Sequence, residues 1–160
     1  MKKEIQIRKI HLNIYDVKRM KDCYSNVLRL VLRYEDETVL HYGFNDGTTA
    51  FLELHIKETP ISGETATGLY HFALLLKTRE ELASILYHLA ISKYTIVGAA
   101  DHIVSEALYL KDPEGNDIEI YCDRPADSWT WKNGFVQMDT LPLKAEELIA
   151  IAKPWHGFPK

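Results

Sequence analysis

Cysteine is scarce in this chain. Only Cys23 and Cys122 occur in 160 residues, far apart and without metal-type spacing. A disulfide framework and a Cys-built zinc site are therefore not expected, and two reduced thiols are. Long apolar runs are missing as well. Nothing approaches the roughly 20 residues that span a bilayer, and the polar start MKKEIQIRK lacks the apolar stretch of a secretion signal. Basic excess is also absent: 19 Lys and Arg against 23 Asp and Glu give a formal charge of -4. With no basic cluster either, nucleic acid is excluded as the main partner. Hydrophobic content of 46% and charged content of 26% are ordinary for a globular protein. The expectation is a soluble cytoplasmic chain without membrane contact, forming one compact domain or two half-domains.

What is present is alternation. Residues 101–125, DHIVSEALYLKDPEGNDIEIYCDRP, hold five turn-forming or polar residues, Asp112 to Asn116, between two alternating runs, a hairpin signature. Leu108, Leu110, Ile118 and Ile120 fall on one face; Tyr109, Glu119 and Tyr121 fall on the other. That second face is either a solvated sheet surface or a chemical one. Upstream, residues 5–14 alternate as a strand, and Asp16 reads as the N-cap of a helix reaching about Leu30. Strands follow at 31–35, 38–44 and 49–56, then a polar connector at 57–68. The order then repeats: a strand at 69–76, a helix from Thr78 to about Ala90 with Glu81 at capping-box spacing, and strands at 94–98, 104–110 and 116–122.

The chain thus reads as βαβββ written twice, about 5–57 and 68–123. The expected class is α+β, two tandem units whose curved mixed sheets form half-barrels that pair, in a domain spanning 1–125. Residues 126–160 form an extension with all three tryptophans, three of the six prolines and a short helix at 144–152. Its end, PWHGFPK, reads as a linker with a further module expected beyond it.

The repeat can be registered by residue. Counting seven residues back from each helix cap pairs His71 with Lys9. Superposing FLELH on DIEIY pairs Glu53 with Glu119 and His55 with Tyr121. Imidazole and carboxylate converging on one face make a site for a borderline divalent ion, with positions left open for substrate. On this reading only the second half carries a plausible metal pair, His71 and Glu119. A third ligand would come from the first strand, from Lys9 or His11. An ammonium offers no lone pair. His11 lies one two-residue step, roughly 6–7 Å, along the strand and would serve given a bulge.

The doubled βαβββ, with GLYHFALLL and the 101–125 segment, resembles the vicinal oxygen chelate superfamily of glyoxalases, fosfomycin-resistance proteins and extradiol ring-cleaving dioxygenases. With the tail SWTWKNGFVQMDTLPLKAEELIAIAKPW, it is similar to the N-terminal half of two-domain bacterial catechol dioxygenase-like proteins. The resemblance implies His71 and Glu119 as second and third metal ligands, with His11 beside the first position, which falls on Lys9. It implies Fe(II) or Mn(II), a small aromatic, catechol-like substrate and a homodimer or higher oligomer. Tyr109 falls where ring-cleaving members place an acidic tyrosine that binds the catecholate, and would hydrogen-bond or deprotonate the substrate. Their active-site histidine falls near Gly98, with His102 close by, and His55 lies near an oxygen-contacting position. The implied function is an extradiol dioxygenase-like enzyme, or half of one. The alternatives are a metal-free small-molecule-binding module, in which Lys9 pairs with Glu119, and a glyoxalase- or antibiotic-resistance-type enzyme.

Overall fold

A computed structural model describes residues 7–45, 47, 50–59 and 68–158. The expected residues at the start of the first strand, Asp46 and Thr49 in the next turn, and most of the 57–68 connector lie outside them. The chain divides into two units, one running to residue 66 and including residues from 157 on, the other spanning 67–156.

In the first unit the alternation IHLNI becomes β1 (Ile10–Ile14), with Leu12 and Ile14 buried and His11 and Asn13 exposed. Asp16 caps α1 (Val17–Lys21) by accepting from the Arg19 amide at 3.0 Å. The expected single helix to Leu30 is not what forms. The chain widens into a π-helix over Asp22–Val27 and stops there. Its closing bond runs from the Leu28 amide to the Cys23 carbonyl at 2.9 Å, a five-residue step. The wider turn lets Cys23, Tyr24, Val27 and Leu28 all be buried. Arg29, at φ 56, then turns the backbone left-handed and ends the helix.

Strands β2 (Val31–Glu35), β3 (Val39–Gly43) and β4 (Leu52–Ile56) follow, in sheet order β1-β4-β3-β2. Only β1 and β4 run parallel. The β2–β3 turn is held by Asp36, whose carboxylate accepts from the amides of Thr38 and Val39. One face of this sheet buries Leu12, Ile14, Leu40, Tyr42, Leu52 and Leu54.

The second unit repeats the plan. It contains β5 (Phe72–Leu76), α2 (Arg79–Ile91), β6 (Ile96–Asp101), β7 (Ser105–Lys111) and β8 (Asp117–Asp123). Helix α2 carries the expected capping box, with Thr78 and Glu81 each satisfying the other's backbone. The strand order β6-β7-β8-β5 matches β2-β3-β4-β1, again with only the outer pair parallel. The predicted α+β class and doubled βαβββ order are what the chain adopts, with two open mixed sheets. Leu108, Leu110, Ile118 and Ile120 are 1% exposed or less, so the hairpin's apolar face is core.

The tail adds to this second unit. A 3-10 turn at Ala126–Ser128 leads to a small hairpin, β9 (Trp131–Lys132) and β10 (Phe135–Val136). Then β11 (Leu141–Pro142) adds antiparallel to the edge of β6, where a proline's missing donor is tolerated. Helix α3 (Ala145–Ile149) buries Leu148. The linker-like end is packed: Trp155 and Phe158 are buried. Gly157, at φ 99, belongs to the first unit, where a Cβ on it would lie 2.7 Å from the Arg29 carbonyl. Among the described residues no helix is long and apolar enough to cross a membrane.

Candidate metal and substrate site

In each unit the chemistry sits on the sheet face opposite the buried leucines, centred on the carboxylate of the last strand. In the second unit that is Glu119. Antiparallel pairing of β7 with β8 sets Tyr109 directly opposite it, and parallel pairing of β5 sets Ala73 on its other side. His71, two residues before Ala73, reaches along the sheet, and its Nε2 lies 3.0 Å from Glu119 Oε2. The edge of the Tyr70 ring meets the His71 ring at 5.0 Å between centroids. The Tyr109 hydroxyl donates to Glu119 Oε1 at 3.2 Å and also meets His102 Nε2 at 2.9 Å. His102 Nδ1 lies 3.1 Å from the Asp139 carbonyl, which can only accept, so Nδ1 carries a proton. In neutral His102, Nε2 is then an acceptor for the Tyr109 proton. The structure thus brings four of the sequence-predicted residues, His71, Glu119, Tyr109 and His102, into one set of polar contacts.

His102 is aimed by a strained turn. The next residue, Ile103, is β-branched yet has φ 70. Its amide donates to Asp101 Oδ1 at 2.8 Å, and its carbonyl accepts from Arg124 Nη1 at 3.1 Å. Arg124 Nη2 also bonds Asp101 Oδ2 at 2.7 Å. These two partners hold the Asp101 carboxyl below its usual range although its burial acts the other way. Gly98 lies opposite Tyr109 in the ladder. His102 therefore reaches the phenol from four residues further along than the position the resemblance indicated.

Burial, reinforced by the charge and hydrogen bond of Glu119, pushes the Tyr109 phenol up to about 12. The group is a proton donor at neutral pH, not a base. Tyr121, on the same face, is also raised, mainly by burial.

The first unit has the same plan with different side chains. Glu53, 7% exposed, has His41 opposite it on β3 and His11 opposite it on β1. Lys9, two residues before His11, forms an ion pair with Glu53 Oε1. That hydrogen bond is the main reason the Glu53 carboxyl lies below its ordinary value, against the effect of burial and with help from His41 and His11. His55, two residues on from Glu53, shares its face. His11 Nδ1, His55 Nε2 and Glu53 Oε2 stand 3.1, 3.3 and 3.5 Å from one another.

The expectation that only the second half holds a plausible metal pair is therefore too narrow. Among the described residues, His11, Glu53 and His55 are a three-donor group whose atoms all lie within 4.8 Å of one another. The signal was legible in the sequence as Glu53-x-His55, two ligands on one strand face. The repeat register makes these two the counterparts of Glu119 and Tyr121, which hides their own pairing. His11 is thus engaged within the first unit, with Glu53 and His55.

Residues 6–120 match the profile of the Glyoxalase/Bleomycin resistance protein/Dioxygenase superfamily. The chain belongs to this superfamily. Among curated proteins, a catechol-2,3-dioxygenase of Bacillus subtilis (strain 168) is 37% identical over 140 residues, 86% of this chain and 49% of that protein. The chain therefore spans about half the length of the curated relative it matches. Solved superfamily structures share the fold. A glyoxalase/dioxygenase from Nostoc punctiforme has a TM-score of 0.61 at 23% identity, covering 75% of this chain and 92% of that one. The cppA protein of Streptococcus pneumoniae TIGR4 has a TM-score of 0.59 at 17% identity, covering 89% and 56%.

Dioxygenases of this superfamily use a divalent metal, and the donor sets here fit one. Both units offer imidazole beside a carboxylate, the mixture a borderline ion takes. In the second unit His71 Nε2 and Glu119 Oε2 supply two such donors in contact.

Proposed function

We propose that the chain is an extradiol dioxygenase-like enzyme, or one half of such an enzyme, that acts on a catechol-type substrate. The observation that carries this reading is the continuous set His71, Glu119, Tyr109 and His102 on one sheet face. The similarity to a protein named catechol-2,3-dioxygenase supports the substrate class. His71 and Glu119 are the residues that would hold Fe(II) or Mn(II), which when bound supplies Lewis acidity and open positions for ligands.

The roles of the remaining groups follow from their hydrogen bonds. Tyr109, kept protonated, donates to an oxygen of the bound diol and orients it. His102, fixed by the Asp139 carbonyl, lies against the phenol oxygen and positions it. The exposed ring of Tyr70 beside His71 offers an aromatic surface to an aromatic substrate.

A metal-free binding role for the same face is the second reading. It is favoured by one observation: the His71 and Glu119 side chains already satisfy each other at 3.0 Å. One experiment separates the two. After anaerobic loading with Fe(II), catechol added under air should give a yellow ring-opened product. His71→Ala should abolish it, and Tyr109→Phe should slow it about 10- to 100-fold, the range for loss of a proton-transfer group. Catechol binding by the metal-free chain that is unchanged in His71→Ala, with no product under any loading, would replace the enzyme reading with the binding one.

A further inference from the structure

The polar face of the first unit poses a proton-counting problem. His11 Nδ1, His55 Nε2 and Glu53 Oε2 are in mutual contact at 3.1 to 3.5 Å. The two rings are nearly parallel, 13° apart, with centroids at 5.3 Å. A carboxylate only accepts, and each ring nitrogen either donates or accepts. One proton between the imidazoles leaves the carboxylate poorly served, and two protons make the imidazoles repel. A single cation at the centre of the triangle satisfies all three lone pairs at once.

The dimensions agree with that. Donor atoms about 2.0–2.2 Å from a tetrahedral zinc ion stand roughly 3.3–3.5 Å from one another. The observed sides of the triangle are 3.1, 3.3 and 3.5 Å. His11 and His55 have side chains 55% and 36% exposed, so both rings can turn their lone pairs inward without disturbing the core. Glu53, the buried member, is fixed instead.

Lys9 fits into this arrangement without blocking it. Its ammonium takes Glu53 Oε1, whereas both imidazoles approach Oε2. The carboxylate is thereby oriented by one oxygen and left to ligate with the other, as outer partners commonly do for metal-binding carboxylates. His41 Nε2 lies 3.7 Å from Oε1, on the Lys9 side.

We propose that His11, Glu53 and His55 form a zinc-class divalent metal site contained entirely within the first βαβββ unit. Three protein ligands leave a fourth position open to water or an oxygen ligand. Ligation requires the donor nitrogens of both imidazoles to carry no proton. Its three ligands share no residue with the pair proposed around His71 and Glu119.

The test uses the full chain carrying His71→Ala, which removes the second unit's metal pair. Zinc chloride titrated against a chromophoric chelator should show about one bound equivalent. Adding His55→Ala, or separately His11→Ala, should weaken that uptake about tenfold or more. Substituted cobalt(II) should give visible bands of a four-coordinate site in His71→Ala and lose them in His71→Ala/His55→Ala. Both added substitutions lie at half-exposed positions, and circular dichroism confirms that each variant is folded. Should either variant unfold, histidine proton NMR of the His71→Ala chain replaces it, with the His11 and His55 ring signals expected to move together over the first equivalent. No zinc uptake by His71→Ala, equal uptake with and without His55, or ring signals that do not move would overturn the proposal.

Discussion

Tyr109 has one phenolic proton and two acceptors, His102 Nε2 at 2.9 Å and Glu119 Oε1 at 3.2 Å. That competition makes the position of His102 matter, and Ile103 sets that position. A β-branched residue at φ 70 is destabilised by about 1–2 kcal/mol relative to the right-handed region. Asparagine tolerates this conformation far better. Ile103→Asn should therefore leave thermal stability unchanged or raise it by about 1 kcal/mol after its lost packing is counted. A differential scanning calorimetry midpoint well below wild type would show that the turn is not strained. The sequence gives no hint of this feature, because nothing in the one-dimensional pattern marks a left-handed isoleucine. Cys122 was easier to read. Burial raises its thiol to about 11, in keeping with the unreactive reduced cysteine expected from composition.

At the scale of elements, the succession of strands along the chain follows from the alternation of apolar residues, and so does the repeat. The pairing of Lys9 with His71 and of Glu53 with Glu119 came from spacing alone. The ladders place them in equivalent positions, and His41 and Tyr109 likewise face the two glutamates. Helix α2 was legible for the same reason, since its capping box is a local signal. Thr78→Ala removes the hydroxyl that accepts the Glu81 amide at 3.2 Å. It should cost about 1 kcal/mol, seen as a lower urea midpoint with unchanged slope. The π-helix at Asp22–Val27 was not legible. Its residues have ordinary helical spacing, and only tertiary packing of Cys23, Tyr24 and Leu28 favours the wider turn. Nor was the tail. β11 is two residues long, too short to show alternation, and it exists because the edge of β6 offers free backbone groups.

For the whole molecule, duplication has produced two faces with one plan and different chemistry. Around its glutamate the second unit carries His71, Ala73, Tyr109 and Tyr121; the first carries Lys9, His11, His41 and His55. The expectation of a metal pair in the second unit alone passes over a first face that is richer in imidazole. A face becomes a site through the side chains that converge on its carboxylate, and convergence is a property of the folded sheet.

The central claim is that His71 and Glu119 hold a divalent metal beside Tyr109. It is tested most directly by electron paramagnetic resonance of Mn(II) added to the His55→Ala chain, in which the first unit's donor set is broken. The account predicts that about one equivalent loses its free-ion signal and that adding His71→Ala restores that signal in full. Free Mn(II) at the first equivalent in the His55→Ala chain, or a bound ion indifferent to His71, would contradict it.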